Sequence, residues 1–361
     1  MRVDSLELKH YRNYGEAVIS FDPGINIFYG DNAQGKTNIL EAIYLAATSK
    51  SHRGSRDREI ISFQAEESHI KMMVARETRT DRVDIHLKKS KSKGIAINGI
   101  PIRKASELFG IVNVVFFSPE DLQLIKSGPG ERRKFIDLEL CQLDKIYVYN
   151  LVNYNKALIQ RNTLLREQYN QTGLTDMLDV WDAQLVRFGA PMIRARAAFL
   201  QQLETLIGTI HSSLSGGKEQ LSVLYEPSVM AEGFAQKLID NRERDIRQKG
   251  TNAGPHRDDI SFVVNGVDIR KFGSQGQQRT AALSVKLAEI ELVKNLIKDT
   301  PVLLLDDVLS ELDGNRQNQL LNSIHGIQTM ITCTGLDDFV DHRFHMDKVF
   351  HVVDGTVTRE N

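Results

Sequence analysis

The chain has 361 residues, about two domains at ~150 residues each, and its 41% apolar content with 25 glycines excludes a disordered chain, a collagen and a miniprotein. Lys+Arg number 46 against 47 Asp+Glu, a net charge of −1, so any polyanion must be held by local patches rather than by a whole-molecule field. Cys141 and Cys333 form no C-x-x-C, no 18 apolar residues run together, and the opening Met1-Arg2-Val3-Asp4 lacks an apolar leader, so a cytoplasmic protein without disulfides or a cysteine zinc site is expected.

In chain order, residues 1–117 read as mostly β with one early helix. Extended runs fall at 18–21, 25–29, 69–76 and 82–88. Asn98-Gly99 is a two-residue hairpin signal, and the apolar run 112–117 predicts a strand buried on both faces. After Gly128-Pro129-Gly130, helical spacing governs 131–167 and about 175–214, with an interruption expected near Gly189-Ala190-Pro191. Trp181, Tyr147, Tyr149 and Tyr154 fit core positions of these helices. Asn265-Gly266 predicts a second hairpin. A buried helix at 276–297, a strand at 302–305, a helix at 314–323 and strands at 330–332 and 349–353 follow, the last turning at Asp354-Gly355. The order α/β, helical, α/β predicts a discontinuous nucleotide-binding domain of 1–127 and 250–361 that carries an inserted, mainly helical lobe of 128–249.

The densest chemistry lies in Gly30-Asp31-Asn32-Ala33-Gln34-Gly35-Lys36-Thr37, a G-x-x-x-x-G-K-[ST] between a strand and a helix. Its glycines let backbone N–H groups converge on phosphate oxygens, Lys36 reaches the β- and γ-phosphates, and the Thr37 hydroxyl suits Mg²⁺. A metal there needs a carboxylate at the tip of a neighbouring buried strand. Val302-Leu303-Leu304-Leu305-Asp306-Asp307 provides Asp306 for the metal and Asp307 to polarise an attacking water. Gly273-Ser274-Gln275-Gly276-Gln277-Gln278-Arg279 opens the long helix. Ser274 and Gln277 are spaced as a capping box, and with Gly276 they suit a helix start that holds a γ-phosphate. Gln123 is read as a further Mg²⁺-sensing ligand and Arg12 as a phosphate contact. His256-Arg257-Asp258-Asp259 lacks zincin spacing and is read as a polar loop.

These motifs, with Ser310-Glu311-Leu312-Asp313, resemble the ABC-type ATPases, in which the phosphate loop of one subunit faces the Ser274-type segment of another. Three departures stand out: Gly273-Ser274-Gln275-Gly276-Gln277 for Leu-Ser-Gly-Gly-Gln, Asp307 for the usual Glu, and no His from 328 to 336. They imply slow hydrolysis, with nucleotide acting as a dimer clamp. Leu8-Lys9-His10-Tyr11-Arg12-Asn13-Tyr14, Asn38-Ile39-Leu40-Glu41-Ala42-Ile43, Phe116-Phe117-Ser118-Pro119-Glu120-Asp121-Leu122 and Gly254-Pro255-His256-Arg257-Asp258-Asp259 are similar to the SMC-like DNA-repair branch and, within it, the RecF family. That resemblance implies an α/β fold, an ABC-type P-loop ATPase head (mixed sheet with a β subdomain) bearing a helical lobe. It further implies ATP and Mg²⁺, an ATP-driven homodimer, weak DNA-dependent ATPase activity and binding at gaps or single-strand–duplex junctions. RecR and RecO are the implied partners in loading RecA on SSB-coated single strands. The alternative is a transporter ATPase subunit, against which stand the missing His and the 270 residues between Lys36 and Asp306.

Three basic clusters are candidate DNA contacts: Lys50, Arg53, Arg56 and Arg58; Lys88, Lys89, Lys91 and Lys93 with Arg103 and Lys104; and Arg132, Arg133 and Lys134. With no aromatic residue among the lysines, phosphate contact is expected over base stacking. The log–log salt slope should then be about −0.9 per phosphate contacted on duplex.

Overall fold

The computed structural model describes residues 1–167, 173–336 and 345–360. The chain divides into two compact units, Met1–Asp121 with Glu289–Asn361, and Leu122–Ala288. Among the described residues no helix is long and apolar enough to cross a membrane.

The first unit holds two six-stranded sheets. One is antiparallel throughout, in the order Tyr14–Ser20, Arg2–Tyr11, Glu67–Ala75, Thr80–Lys88, Lys91–Ile97, Ile100–Pro101. Its strands alternate: Val83, Ile85 and Leu87 are buried, while Arg82, Asp84 and His86 between them are partly open. Asn98 and Gly99 both adopt positive φ (54° and 80°), the two-residue turn whose twist matches the strands it joins.

The second sheet runs Thr356–Arg359, Lys348–Val353, Ile25–Tyr29, Thr329–Cys333, Val302–Asp306, Val114–Phe117, parallel except for the antiparallel edge pair. Val302–Asp306 and Thr329–Cys333 are buried at every residue, which is why their sequences do not alternate. The helix Lys36–Thr48 touches strands of both sheets, so it is apolar on nearly all sides instead of along one stripe.

The second unit is mainly helical, with Pro129–Leu143, Lys145–Glu167 and Leu174–Leu214 as its long helices. Leu221–Glu226, Asp259–Val264 and Val267–Asp268 make a three-stranded antiparallel sheet. That pairing draws 250–288 into this unit, which is therefore wider than the 128–249 expected. The helical stretch 131–167 is two helices, broken at Asp144, whose ψ of 109° is extended. The expected interruption at Gly189-Ala190-Pro191 is absent, and Leu174–Leu214 runs straight through Pro191 as one 41-residue helix. Tertiary packing holds it: a Cβ on Gly189 would stand 2.7 Å from the Phe234 ring and 2.9 Å from the Tyr154 ring. Tyr147 and Tyr154 are core residues and Trp181 packs partly buried on a leucine cluster, but Tyr149 is exposed.

Candidate nucleotide site

The strand Ile25–Tyr29 delivers the chain into the loop 30–37, and the helix Lys36–Thr48 carries it away. Gly30 has φ 145°, and a Cβ there would sit 2.4 Å from the Val352 carbonyl oxygen. Gly35 has φ 113°, with Asn13 Nδ2 only 2.7 Å from where a Cβ would lie. Both positions therefore require glycine. The loop is pinned from outside. Asn13 Nδ2 donates to the Gln34 carbonyl (2.9 Å), Tyr14 Oη donates to the Gly35 carbonyl (3.0 Å), and the Gly355 and Asp354 amides donate to the Gln34 carbonyl and Oε1 (3.1 and 2.6 Å). Asp31, Asn32 and Ala33 remain exposed, and no side chain caps the helix that starts after Gly35.

Lys36 folds back over the loop. Its Nζ donates to the carbonyls of Gly30 (2.5 Å) and Asp31 (2.7 Å), and burial lowers its pKa against the opposing pull of Asp307, Cys333, Asp306 and Asp31. Thr37 Oγ1 donates to Asp306 Oδ1 at 2.7 Å, and Thr332 Oγ1 donates to the same oxygen at 2.7 Å. Burial raises the pKa of Asp306 despite these two hydrogen bonds. Asp307 stands in the left-handed region (φ 52°), its amide donating to the Thr332 hydroxyl at 3.0 Å. The site thus brings together a half-desolvated ammonium, a hydroxyl in contact with a carboxylate, and uncapped helix amides. That donor set fits a phosphate chain with a hard divalent cation.

The sequence signalled Gly30, Gly35, Lys36, Thr37, Asp306 and Asp307 here, but not the clamp of Asn13, Tyr14 and Gly355 or the bridge of Thr332. A turn signal at Asp354-Gly355 was visible; its target was not, because more than 300 residues separate it from Gln34.

Arg12 is occupied otherwise than expected. Its guanidinium grips Glu41 with two bonds (2.8 and 2.6 Å) and also reaches Ser55 Oγ and the Glu59 carbonyl. Burial alone would raise the Glu41 pKa, but hydrogen bonds from Arg12 and Ser51 hold it below the ordinary value. Gln123, in the second unit, is exposed and accepts from Ser127 Oγ at 2.6 Å. The capping box forms: the Gln277 amide donates to Ser274 Oγ (3.2 Å) and the Ser274 amide to Gln277 Oε1 (3.0 Å), while Gln277 Nε2 reaches Glu219 (2.9 Å). Ser274 and Gly276 are exposed, and so is Phe272 at 76%.

Of the basic clusters, Arg132 is corrected. It is 1% exposed and pairs through two bonds with Asp259 (2.6 and 3.0 Å), so it is a structural cation with no surface to offer a phosphate. Arg133 is half-buried on the Asp258 carbonyl (2.7 Å). Lys93 is tied to Ser49 and Asp57, Lys88 to Glu67 and Lys89 to Glu66. Lys50, Arg53, Arg56 and Lys91 are exposed. The polar stretch 256–259 is anchored on the buried Asp258, with His256 and Asp259 partly buried and Arg257 exposed. Arg196 donates to Asp258 (2.9 Å), and Tyr154 Oη meets His256 Nδ1 at 2.6 Å.

A parallel sheet with a phosphate loop, a neighbouring acidic strand tip and an antiparallel β layer defines the ABC-type P-loop ATPase head. The profile of the RecF/RecN/SMC N terminal domain family matches residues 2–357. A protein of Lachnoclostridium phytofermentans, DNA replication and repair protein RecF, is 60% identical over 359 residues, covering 99% of this chain and 100% of that protein. A solved structure of the recombination mediator protein RecF-ATP in the RecFOR pathway superimposes with a TM-score of 0.93 at 34% identity, over 99% of this chain and 97% of that one. The SMC head bound to the C-winged helix domain of ScpA shares the fold, with a TM-score of 0.59 at 17% identity over 100% of this chain and 97% of that one. The chain belongs to the RecF family.

Proposed function

We propose that this protein binds ATP with Mg²⁺ and acts in recombinational DNA repair, two copies closing on nucleotide to form a clamp on DNA. The observation that carries the reading is the Thr37–Asp306 contact beside the buried Lys36. A solved relative described as RecF-ATP supports the nucleotide. In this mechanism the Lys36 ammonium leaves its two carbonyls for the β- and γ-phosphate oxygens, and amides of the loop 30–37 bind the chain of phosphates. Thr37 Oγ1 and Asp306 are the residues that would hold Mg²⁺, which would supply charge neutralisation to the phosphates. The Asp307 carboxylate orients water and accepts its proton. One methylene shorter than Glu, it supports only weak, DNA-dependent hydrolysis. The exposed Ser274, Gly276 and Phe272 belong to the face that meets the second copy's nucleotide. DNA lies on the exposed cations Lys50, Arg53, Arg56 and Lys91, at gaps or single-strand–duplex junctions, with RecR and RecO as partners in loading RecA. Functionally the ATPase domain is read as 1–127 with 250–361.

Sedimentation with and without ATP-Mg²⁺, in the presence and absence of gapped duplex, tests this reading. Nucleotide should convert monomer to dimer, Lys36→Arg should prevent the conversion and Asp307→Asn should trap the dimer. Equal dimerisation without nucleotide would overturn it. A salt-insensitive DNA affinity would remove the phosphate-contact surface.

A further inference from the structure

The antiparallel sheet of the first unit carries a feature unrelated to the phosphate loop. His69 and His86 are direct cross-strand partners on Glu67–Ala75 and Thr80–Lys88, with rings stacked at 3.9 Å and 23°. Their Nε2 atoms approach the two oxygens of one carboxylate: His86 meets Glu67 Oε2 at 3.0 Å, and His69 meets Oε1 at 3.8 Å. One potential ligand atom from each of Glu67, His69 and His86 lies within 4.8 Å of the others. We infer that Glu67, His69 and His86 form a binding site for a divalent transition-metal ion of the zinc class.

The donor set decides the metal class: two imidazoles and one carboxylate suit Zn²⁺ or Co²⁺ and leave positions for water, whereas Mg²⁺ takes oxygen ligands. Tetrahedral zinc, with bonds of about 2.0–2.1 Å, needs its ligand atoms roughly 3.4 Å apart, so the set must contract by about an ångström. The side chains can do this, because Glu67 and His69 are nearly half exposed and His86 a third. The backbone already brings the two histidines together, which removes most of the ordering cost. On the far side of His86 the facing residue is Gly94, whose missing side chain leaves the approach open. His69 and His86 line a hollow of about 430 Å³ whose walls carry Glu7, Glu16 and Asp84 together with Lys9 and Lys71. The competing cation is Lys88, 3.2 Å from Glu67 Oε2, a surface contact that a doubly charged ion displaces.

Titration of the nucleotide-free full chain with Co²⁺ in excess Mg²⁺ reads the site through visible absorption, and calorimetry with Zn²⁺ gives the stoichiometry. The expected result is one ion per chain with imidazole-type d–d bands, insensitive to Mg²⁺. His86→Gln and Glu67→Gln should each weaken binding by about tenfold or more. Both are surface replacements, and unchanged metal-free thermal unfolding verifies that they fold. Absence of saturable Co²⁺ binding, or equal affinity in His86→Gln, overturns the site.

Discussion

At the scale of single residues, Thr332 carries more of the site than its type suggests. Its hydroxyl donates to Asp306 and accepts from the Asp307 amide, so one side chain sets the orientation of both acids. Thr332→Val keeps the shape and removes both bonds. Urea unfolding should show a loss of about 1 kcal/mol, the net worth of the lost bonds, because Asp306 Oδ1 keeps Thr37 and the Asp307 amide keeps the Thr332 carbonyl (3.3 Å). Binding of a fluorescent ATP analogue should weaken, with Thr332→Ser restoring it. Arg132 illustrates the opposite fate, a cation the sequence offered to DNA and the fold took inside. Arg132→Ala leaves the Asp259 carboxylate without its main partner and should cost about 3–5 kcal/mol by the same measurement. DNA affinity per folded molecule should stay the same. Charge type is legible in a sequence, but whether a charge is solvated depends on a carboxylate 127 residues away.

At the scale of elements, local pattern performed well wherever the governing interactions are short-range. The strand 25–29, the helix 314–323 and the Asn98-Gly99 and Asn265-Gly266 turns are set by spacing and by positive φ within a few residues. The helix Leu174–Leu214 departs from local rules because its Gly189 face packs on Phe234 and Tyr154, and those contacts outweigh the proline. Proline in a helix interior costs ~3 kcal/mol, so Pro191→Ala should raise the thermal midpoint of unfolding; a lowered midpoint would show that the proline shapes the helix. The break at Asp144, by contrast, follows a local rule: its carboxylate accepts from the Ile146 amide (2.7 Å) and so caps the start of the second helix.

At the scale of the whole molecule, acid sensitivity follows from a buried neutral histidine. His256 accepts from Tyr154 at Nδ1 and donates from Nε2 to the Thr251 carbonyl (3.0 Å), and burial, aided by the Arg257 charge, lowers its pKa to about 4. The unfolded chain, with the ordinary imidazole pKa of about 6.5, binds this proton first, so stability falls as pH drops from about 6.5 towards 4. His256→Gln should flatten that part of the pH–stability curve, measured by denaturant midpoints across the interval. An unchanged slope would assign the acid loss to His52, whose burial likewise lowers its pKa to about 4.

The sequence alone determined the strand–loop–helix that cradles a phosphate, the buried strand ending in two acids, the hairpins and the family resemblance, because each is encoded by neighbours within about ten residues. Only the tertiary structure decided that Thr332 bridges Asp306 and Asp307, that Arg132 is buried on Asp259, and that His69 faces His86. These depend on which distant strands and helices pair, and pairing is a property of the assembled sheets and core that no local spacing contains.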